Sequence, residues 1–290
     1  MPSTREIRNR IKSLKGTQQI TRAMKMVAAA KVRRAQERVL ATRPYAQKLK
    51  EMFQYVAHKL AEEDVNEPLL EQREIKNVGI VIVTSDKGLC GSYNSNILRF
   101  AAQKMEEVVA AGQTPHVWIV GNKGIGFFRH AGLGVLGRYS ALPAVPSYAE
   151  AEMLTDAISQ AFLEQKVDKV VLLYTRFVSM IQYQPTELTL LPVAPPEGDA
   201  APKAEYIFEP DAATLLKSIL PRYISRQILR ALLESAASQL AAQMTAMDSA
   251  TKNADDLLTN LKIVYNKVRQ AYITKEILEV VGGAEALNKK

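Results

Sequence analysis

Hydrophobic residues recur along the last third of the chain at alternating intervals of four and three. From Leu229 the steps reach Leu233, Ala236, Leu240, Gln243, Met247, Ala250, Ala254, Leu257, Leu261, Val264, Val268, Ala271, Lys275 and Leu278, and only Gln243 and Lys275 break the apolar series. A 4-3 spacing held over about seven heptads marks the seam of a coiled coil. No glycine or proline lies between Arg222 and Val281. A helix of that length spans roughly 90 Å, against about 40 Å for a compact domain made from the chain. It therefore needs a partner helix, and the other chain end supplies one. From Ile7 the same steps give Ile11, Leu14, Gln18, Thr21, Lys25, Ala28, Val32, Ala35, Val39, Thr42, Ala46, Leu49, Phe53, Val56 and Leu60. Where Gln18, Thr21 and Lys25 interrupt this series, Ile20, Met24 and Val27 offer a shifted stripe, so the seam is expected to change register there.

The first helix starts at a Ser3 or Thr4 cap with Glu6 in its first turn, should bend near Pro44, and should end near Glu62. An acidic stretch with Pro68 reads as a linker. Val78–Thr84 is a continuous apolar, β-branched run, the pattern of a strand buried on both faces. Further strands are expected at His116–Val120, near Val135, at Lys169–Tyr174 and, as a final edge strand, at Gln184–Pro192. Helices are expected at about 94–111, after Gly121–Gly126, and from a Ser147 cap to about Gln165. This alternation is that of an α/β domain with a largely parallel sheet. Residues 194–203 read as a loop, Asp211 as the cap of the last helix, and Pro221 as a kink or split within it. The predicted architecture is an antiparallel hairpin of N- and C-terminal coiled-coil helices, at 1–62 and 211–290, around an inserted Rossmann-like α/β domain at 75–195.

Charge sharpens the picture. Residues 1–60 hold fifteen Lys or Arg against three acids, whereas the rest of the chain holds 23 basic and 27 acidic residues. A positive first helix suits nucleic acid, an anionic membrane surface or an acidic protein surface. Its few aromatics, Tyr45, Phe53 and Tyr55, make a poor base-stacking platform. No run of eighteen apolar residues predicts a membrane span. The N-terminal segment lacks an apolar signal core, and the single Cys90 excludes an internal disulfide, both pointing to a reducing cytosolic compartment.

Chemistry is sparse. Ser85–Asn94 and Gly121–Gly126 each follow a strand and precede a helix, but neither has the glycine spacing of a phosphate loop. They read as tight turns, with Lys87 and Lys123 as solvated charges. His58, His116 and His130 are far apart, so no metal or cofactor is expected. Cys90 reads as a packed thiol. Glu276 and Glu279 sit close on a helix but have no pocket. The chain is expected to work by contact rather than catalysis, with a basic coiled-coil nucleic-acid-binding protein and an α/β enzyme with helical arms as the rival readings.

Ile273-Thr274-Lys275-Glu276-Ile277-Leu278-Glu279, followed by Val280-Val281-Gly282-Gly283-Ala284, resembles the signature of the gamma subunit of F-type ATP synthases. Thr21–Lys31, Arg33–Gln36, Ser85–Asn94 and Tyr265–Ala271 resemble the same family, and the likeness spans the chain. The resemblance implies a non-catalytic rotor shaft, part of a proton-transporting complex. It implies as partners the alpha and beta subunits of a catalytic head, an epsilon subunit and a membrane c-ring, with no nucleic acid. It places Met24 and Lys25 near the acidic lever of the catalytic subunit, and Arg269, Gln270, Thr274 and Glu276 at its catch loop. Tyr206 and Glu209 match the segment that meets the membrane ring. The location implied is the cytoplasmic face of a bacterial inner membrane, since the lone Cys90 lacks the regulatory cysteine pair of plastid members.

Overall fold

The computed structural model describes residues 3–60, 67–129, 132, 134–194 and 211–288. Two helices carry the chain ends, α1 (Thr4–Leu60) and α5 (Ala212–Asn288). Ser3 and Glu6 close a reciprocal cap at the start of α1: the Glu6 amide donates to Ser3 Oγ and the Ser3 amide to Glu6 Oε2. Asp211 Oδ1 accepts the Thr214 amide at 2.7 Å at the start of α5. Both helices run unbroken past Pro44 and Pro221, so α5 is not split there. A proline removes only one ladder bond. Buried Leu49 and Phe53 after Pro44, and Leu216, Leu220 and Ile224 around Pro221, hold each helix on its core through the gap. The α5 helix also continues through Gly282 and Gly283. The expected end at Glu62, the 194–203 loop, Tyr206 and Glu209 fall outside the described residues, as do the side chains of Val39, Thr42, Ala46 and Leu60.

Chain contacts divide the protein into two compact units, residues 28–243 and residues 1–27 with 244–290. The larger holds β1 (Asn77–Val83), α2 (Tyr93–Ala110), β2 (Thr114–Val120), α3 (Asn122–Phe127), β3 (Gly134–Tyr139), α4 (Tyr148–Leu163), β4 (Lys169–Phe177) and β5 (Tyr183–Leu191). The sheet order is β3-β2-β1-β4-β5. Its first four strands are parallel, and β5 pairs antiparallel with β4 at the edge. One face, with Ile80, Ile82, Ile119 and Leu173, packs on Ile97, Ala101 and Met105 of α2. The other, with Val81, Trp118 and Leu172, packs on Leu154 and Ile158 of α4, Phe53 of α1 and Leu220 and Ile228 of α5. Both faces are covered, which is why β1 reads as an unbroken apolar run. Across this core α1 and α5 run antiparallel: the Phe53 and Tyr223 rings lie 4.8 Å apart, while Val32 packs on Leu240 and Ala241. Beneath α4, Arg73 Nε lies 3.1 Å from Asp168 Oδ1, and the guanidinium donates to the Phe162 and Val167 carbonyls.

Candidate functional site

The smaller unit is an antiparallel pair of helix ends. Arg8 donates to Tyr265 Oη at 2.8 Å, Gln18 Nε2 donates to Asp255, the Thr21 and Thr251 hydroxyls meet at 2.8 Å, and Lys25 Nζ lies 2.5 Å from Asp248. Each step forward on α1 is a step back on α5. On α1 the seam keeps the spacing set by Ile7, and the expected register change does not occur: Thr21 is buried, whereas Ile20 is 62 % and Val27 55 % exposed. The polar seam residues stay inside because each meets a polar partner on α5 at its own level. On α5 the seam differs from expectation by one position in every heptad. Leu258 is buried and Leu257 is 53 % exposed, while Val264 is exposed and Tyr265 half-buried beneath Arg8. The signal that could have fixed this register is Asp248, Thr251 and Asp255, a polar run matching Gln18, Thr21 and Lys25 on the other helix.

These contacts shape the local electrostatics. Hydrogen bonds from Lys25 and Lys252 hold the Asp248 carboxyl below the usual aspartate range. The hydrogen bond from Arg8, with its positive charge, lowers the Tyr265 phenol.

Of the sequence-derived site residues, Met24 is half-buried at the pair, and Lys25 is engaged with Asp248. Arg269, Gln270, Thr274 and Glu276 are all exposed on α5, Arg269 and Gln270 level with the start of α1 and Thr274 and Glu276 beyond it. Helical spacing puts Gln270 and Thr274 on one face and Arg269 and Glu276 on another. About twenty residues of helix, roughly 30 Å, separate this group from the level of Met24 and Lys25, so the structure does not bring the two sets together. Around them Tyr272, Ile273, Ile277, Leu278, Val280 and Val281 leave α5 apolar on several sides, with no covering helix among the described residues.

The α/β unit contains the place where a ligand would be expected, the carboxyl ends of β1 and β4, where the strand order reverses. That crevice is filled. Buried Tyr93 and Cys90 pack against Ala242 of α5. Ser235 Oγ accepts the Thr175 amide at 3.1 Å, and the Ser238 hydroxyl donates to the Thr175 carbonyl at 3.1 Å. Burial raises both the Tyr93 phenol and the Cys90 thiol, so the cysteine is the packed thiol expected. The turns that follow the strands are equally occupied. Asn94 Oδ1 accepts from the Ser85 amide and hydroxyl. Asp86 Oδ1 accepts the Asn122 amide, and Thr84 Oγ1 the Gly124 amide, the donors that a phosphate would have used. Gly121 has φ +94°, and a Cβ there would lie 2.5 Å from the Thr84 carbonyl oxygen, so the glycine serves a tight turn. A cavity of about 100 Å³ lined by Leu188, Leu190, Pro192, Tyr223 and Gln227 is smaller than a usual ligand pocket. Among the described residues no cluster of His, Cys, Asp and Glu could hold a metal ion.

A family model described as ATP synthase matches residues 3–287. The chain is 46% identical over 288 residues to the ATP synthase gamma chain of Pelotomaculum thermopropionicum, covering 99% of this chain and 100% of that one. It is 44% identical over 314 residues to the gamma chain of Synechococcus sp. strain JA-2-3B'a(2-13), with the same coverage. Among solved structures, a chain of the Tetrahymena thermophila mitochondrial ATP synthase central stalk and c-ring aligns with TM-score 0.59 and 27% identity, over 80% of this chain and 99% of that one. A chain of the Euglena gracilis mitochondrial ATP synthase aligns with TM-score 0.68 and 20% identity, over 98% and 94%, a likeness of fold.

Proposed function

The chain belongs to the ATP synthase gamma-chain family, and from that premise we propose that it is the central-stalk rotor of an F-type ATP synthase. It couples the proton-driven turning of a membrane c-ring to conformational change at the nucleotide sites of a catalytic head. Its partners are the alpha and beta subunits of that head, an epsilon subunit and the ring. The observation that carries this reading is end-to-end agreement with gamma chains at 44% and 46% identity.

The structure supplies physical reasons for the role. One side of the helix pair carries the ladder of Asp248, Asp255 and their partners, while Ile20, Val27, Leu257 and Val264 remain exposed on the pair. Such a body cannot touch three like subunits alike, and a partner's equilibrium moves only through contacts that differ between its states. Arg269, Gln270, Thr274 and Glu276, exposed on α5, are proposed to meet the head's catch loop. Met24 and Lys25 are proposed to meet its acidic lever, and Tyr206 and Glu209 the ring. The chain itself is non-catalytic in this reading, which the filled crevice supports. No helix among the described residues is long and apolar enough to cross a membrane, and we place the protein peripherally, on the cytoplasmic face of the bacterial inner membrane.

The test is reconstitution with the remaining subunits. Replacing Arg269 and Gln270 together by Ala should lower ATP turnover or coupling in the assembled complex while the isolated chain keeps its far-UV circular dichroism. Full activity in that complex would remove both residues from the contact set.

A further inference from the structure

The smaller unit holds two seams, of which it uses one. The seam in use on α5 runs Met247, Thr251, Ala254, Leu258, Leu261, Tyr265 and Val268. One residue N-terminal to every second member lies Ala250, Leu257 or Val264, and the series Met247, Ala250, Ala254, Leu257, Leu261, Val264, Val268 is wholly apolar. On α1 the seam in use runs Leu14, Gln18, Thr21, Lys25 and Ala28, and Thr17 and Met24 stand in the corresponding neighbouring positions. In an antiparallel pair these neighbouring positions of the two helices flank the same side of the contact. A concerted roll of both helices by about 60°, just over half the angle between successive residues, would exchange one seam for the other. Hydrophobic burial alone favours that roll. It would take Gln18, Lys25, Thr251 and Tyr265 out of the contact and bring in Met24, Ala250 and Val264. The structure nevertheless leaves Leu257 53 % and Val264 43 % exposed.

What opposes the roll is the set of cross-helix polar contacts. Gln18 to Asp255, Thr21 to Thr251, Lys25 to Asp248 and Arg8 to Tyr265 all join residues of the seam in use or its polar flank. A rolled pair keeps the helices at the same level but breaks every one of these contacts. Polar groups in a coiled-coil seam cost stability and specify register. We propose that this ladder is a register lock, which holds α1 and α5 in the polar seam, leaves Met24 at its flank and keeps the Ile20, Val27, Leu257 and Val264 surface on the outside. The lock makes the pair a conformational device: the same two helices have a second packing, and four layers of polar contact decide against it.

The experiment uses the full-length chain with Cys90 replaced by Ser. Moving one heptad along both helices from the Thr21–Thr251 layer puts Leu14 at the level of Leu258. Cysteines at Leu14 and Leu258 report the seam in use, and cysteines at Leu14 and Leu257 report the rolled one, because adjacent helical residues point about 100° apart. Disulfide closure demands close Cβ atoms. In the parent, the Leu14/Leu258 pair should oxidise at least about tenfold faster than the Leu14/Leu257 pair. The ladder-free chain carries Arg8→Ala, Gln18→Ala, Thr21→Ala, Lys25→Ala, Asp248→Ala, Thr251→Ala and Asp255→Ala, which removes all four contacts without giving the seam in use larger apolar side chains than its rival. Its helix content should be unchanged, but the two pairs should close at similar rates. A ladder-free chain that keeps the parental preference overturns the lock, as does a parent with no preference. Should that chain fail to fold, the milder Thr21→Ala, Lys25→Ala, Thr251→Ala chain takes its place. It should show a reduced preference, and an undiminished one overturns the proposal.

Discussion

Leu257 and Leu258 are the same residue type at adjacent positions of one helix, so truncating each in turn isolates the effect of seam position. Leucine to alanine removes three carbons, worth about 0.8 kcal/mol each when fully buried. Leu258 is 7% exposed, so its loss should weaken the local pairing of α1 and α5 by about 2 kcal/mol. The larger cavity penalties of closed cores, up to about 5 kcal/mol, do not apply to a two-helix contact open to water on its flanks. Leu257 is 53% exposed, and its loss should cost about 1 kcal/mol or less. The assay is native-state hydrogen exchange of the α5 amides between residues 250 and 266 in the full-length chain. There about 2 kcal/mol of lost opening energy means roughly thirty-fold faster exchange, against a few-fold for Leu257→Ala. Equal effects, or a larger one at Leu257, would refute the seam assignment.

Two further outcomes follow from the same contacts. Asp168→Ala leaves the half-buried Arg73 beneath α4 without its carboxylate and strips an acceptor from the Lys76 and Asn77 amides; it should destabilise the α/β unit by about 3 kcal/mol, read as a lower urea midpoint with an unchanged slope. Because Lys25 and Lys252 depress the Asp248 pKa in the folded state, the ladder's contribution is complete above the aspartate's unfolded value and is lost as pH falls through the depressed one. Asp248→Asn should therefore flatten the acid dependence of exchange in that stretch of α5, and a parental acid profile in the variant would contradict the pairing.

The sheet was legible because each central strand is buried on two faces and so reads as a run of β-branched residues between turns. The helices were legible as elements but not in rotation. Along Leu257-Leu258 and Val264-Tyr265 two neighbouring apolar stripes satisfy the same 4-3 spacing, and periodicity cannot choose between them. The choice rests on cross-chain polar pairs, such as Thr21 with Thr251, that a single strand of text does not display. The same blindness made Ile20, Met24 and Val27 look like a displaced seam, when Ile20 and Val27 lie outside the contact and Met24 only flanks it. The split expected at Pro221 misled for a related reason: the local backbone cost there is outweighed by packing from residues far away in sequence. The closing of the α/β crevice was invisible for the same cause, since Ser235 and Ser238 look like ordinary helix-surface serines until β4 is laid beside them.

That last arrangement bears on how the protein is made. The end of β4 is tied off by hydroxyls that leave the ribosome some sixty positions later. Until α5 is synthesised, a nascent chain with all five strands already translated still has Tyr93 and the Thr175 backbone facing an open gap. The middle of the protein thus waits on its tail, and a message truncated before Ser235 would yield a sheet with one wall missing.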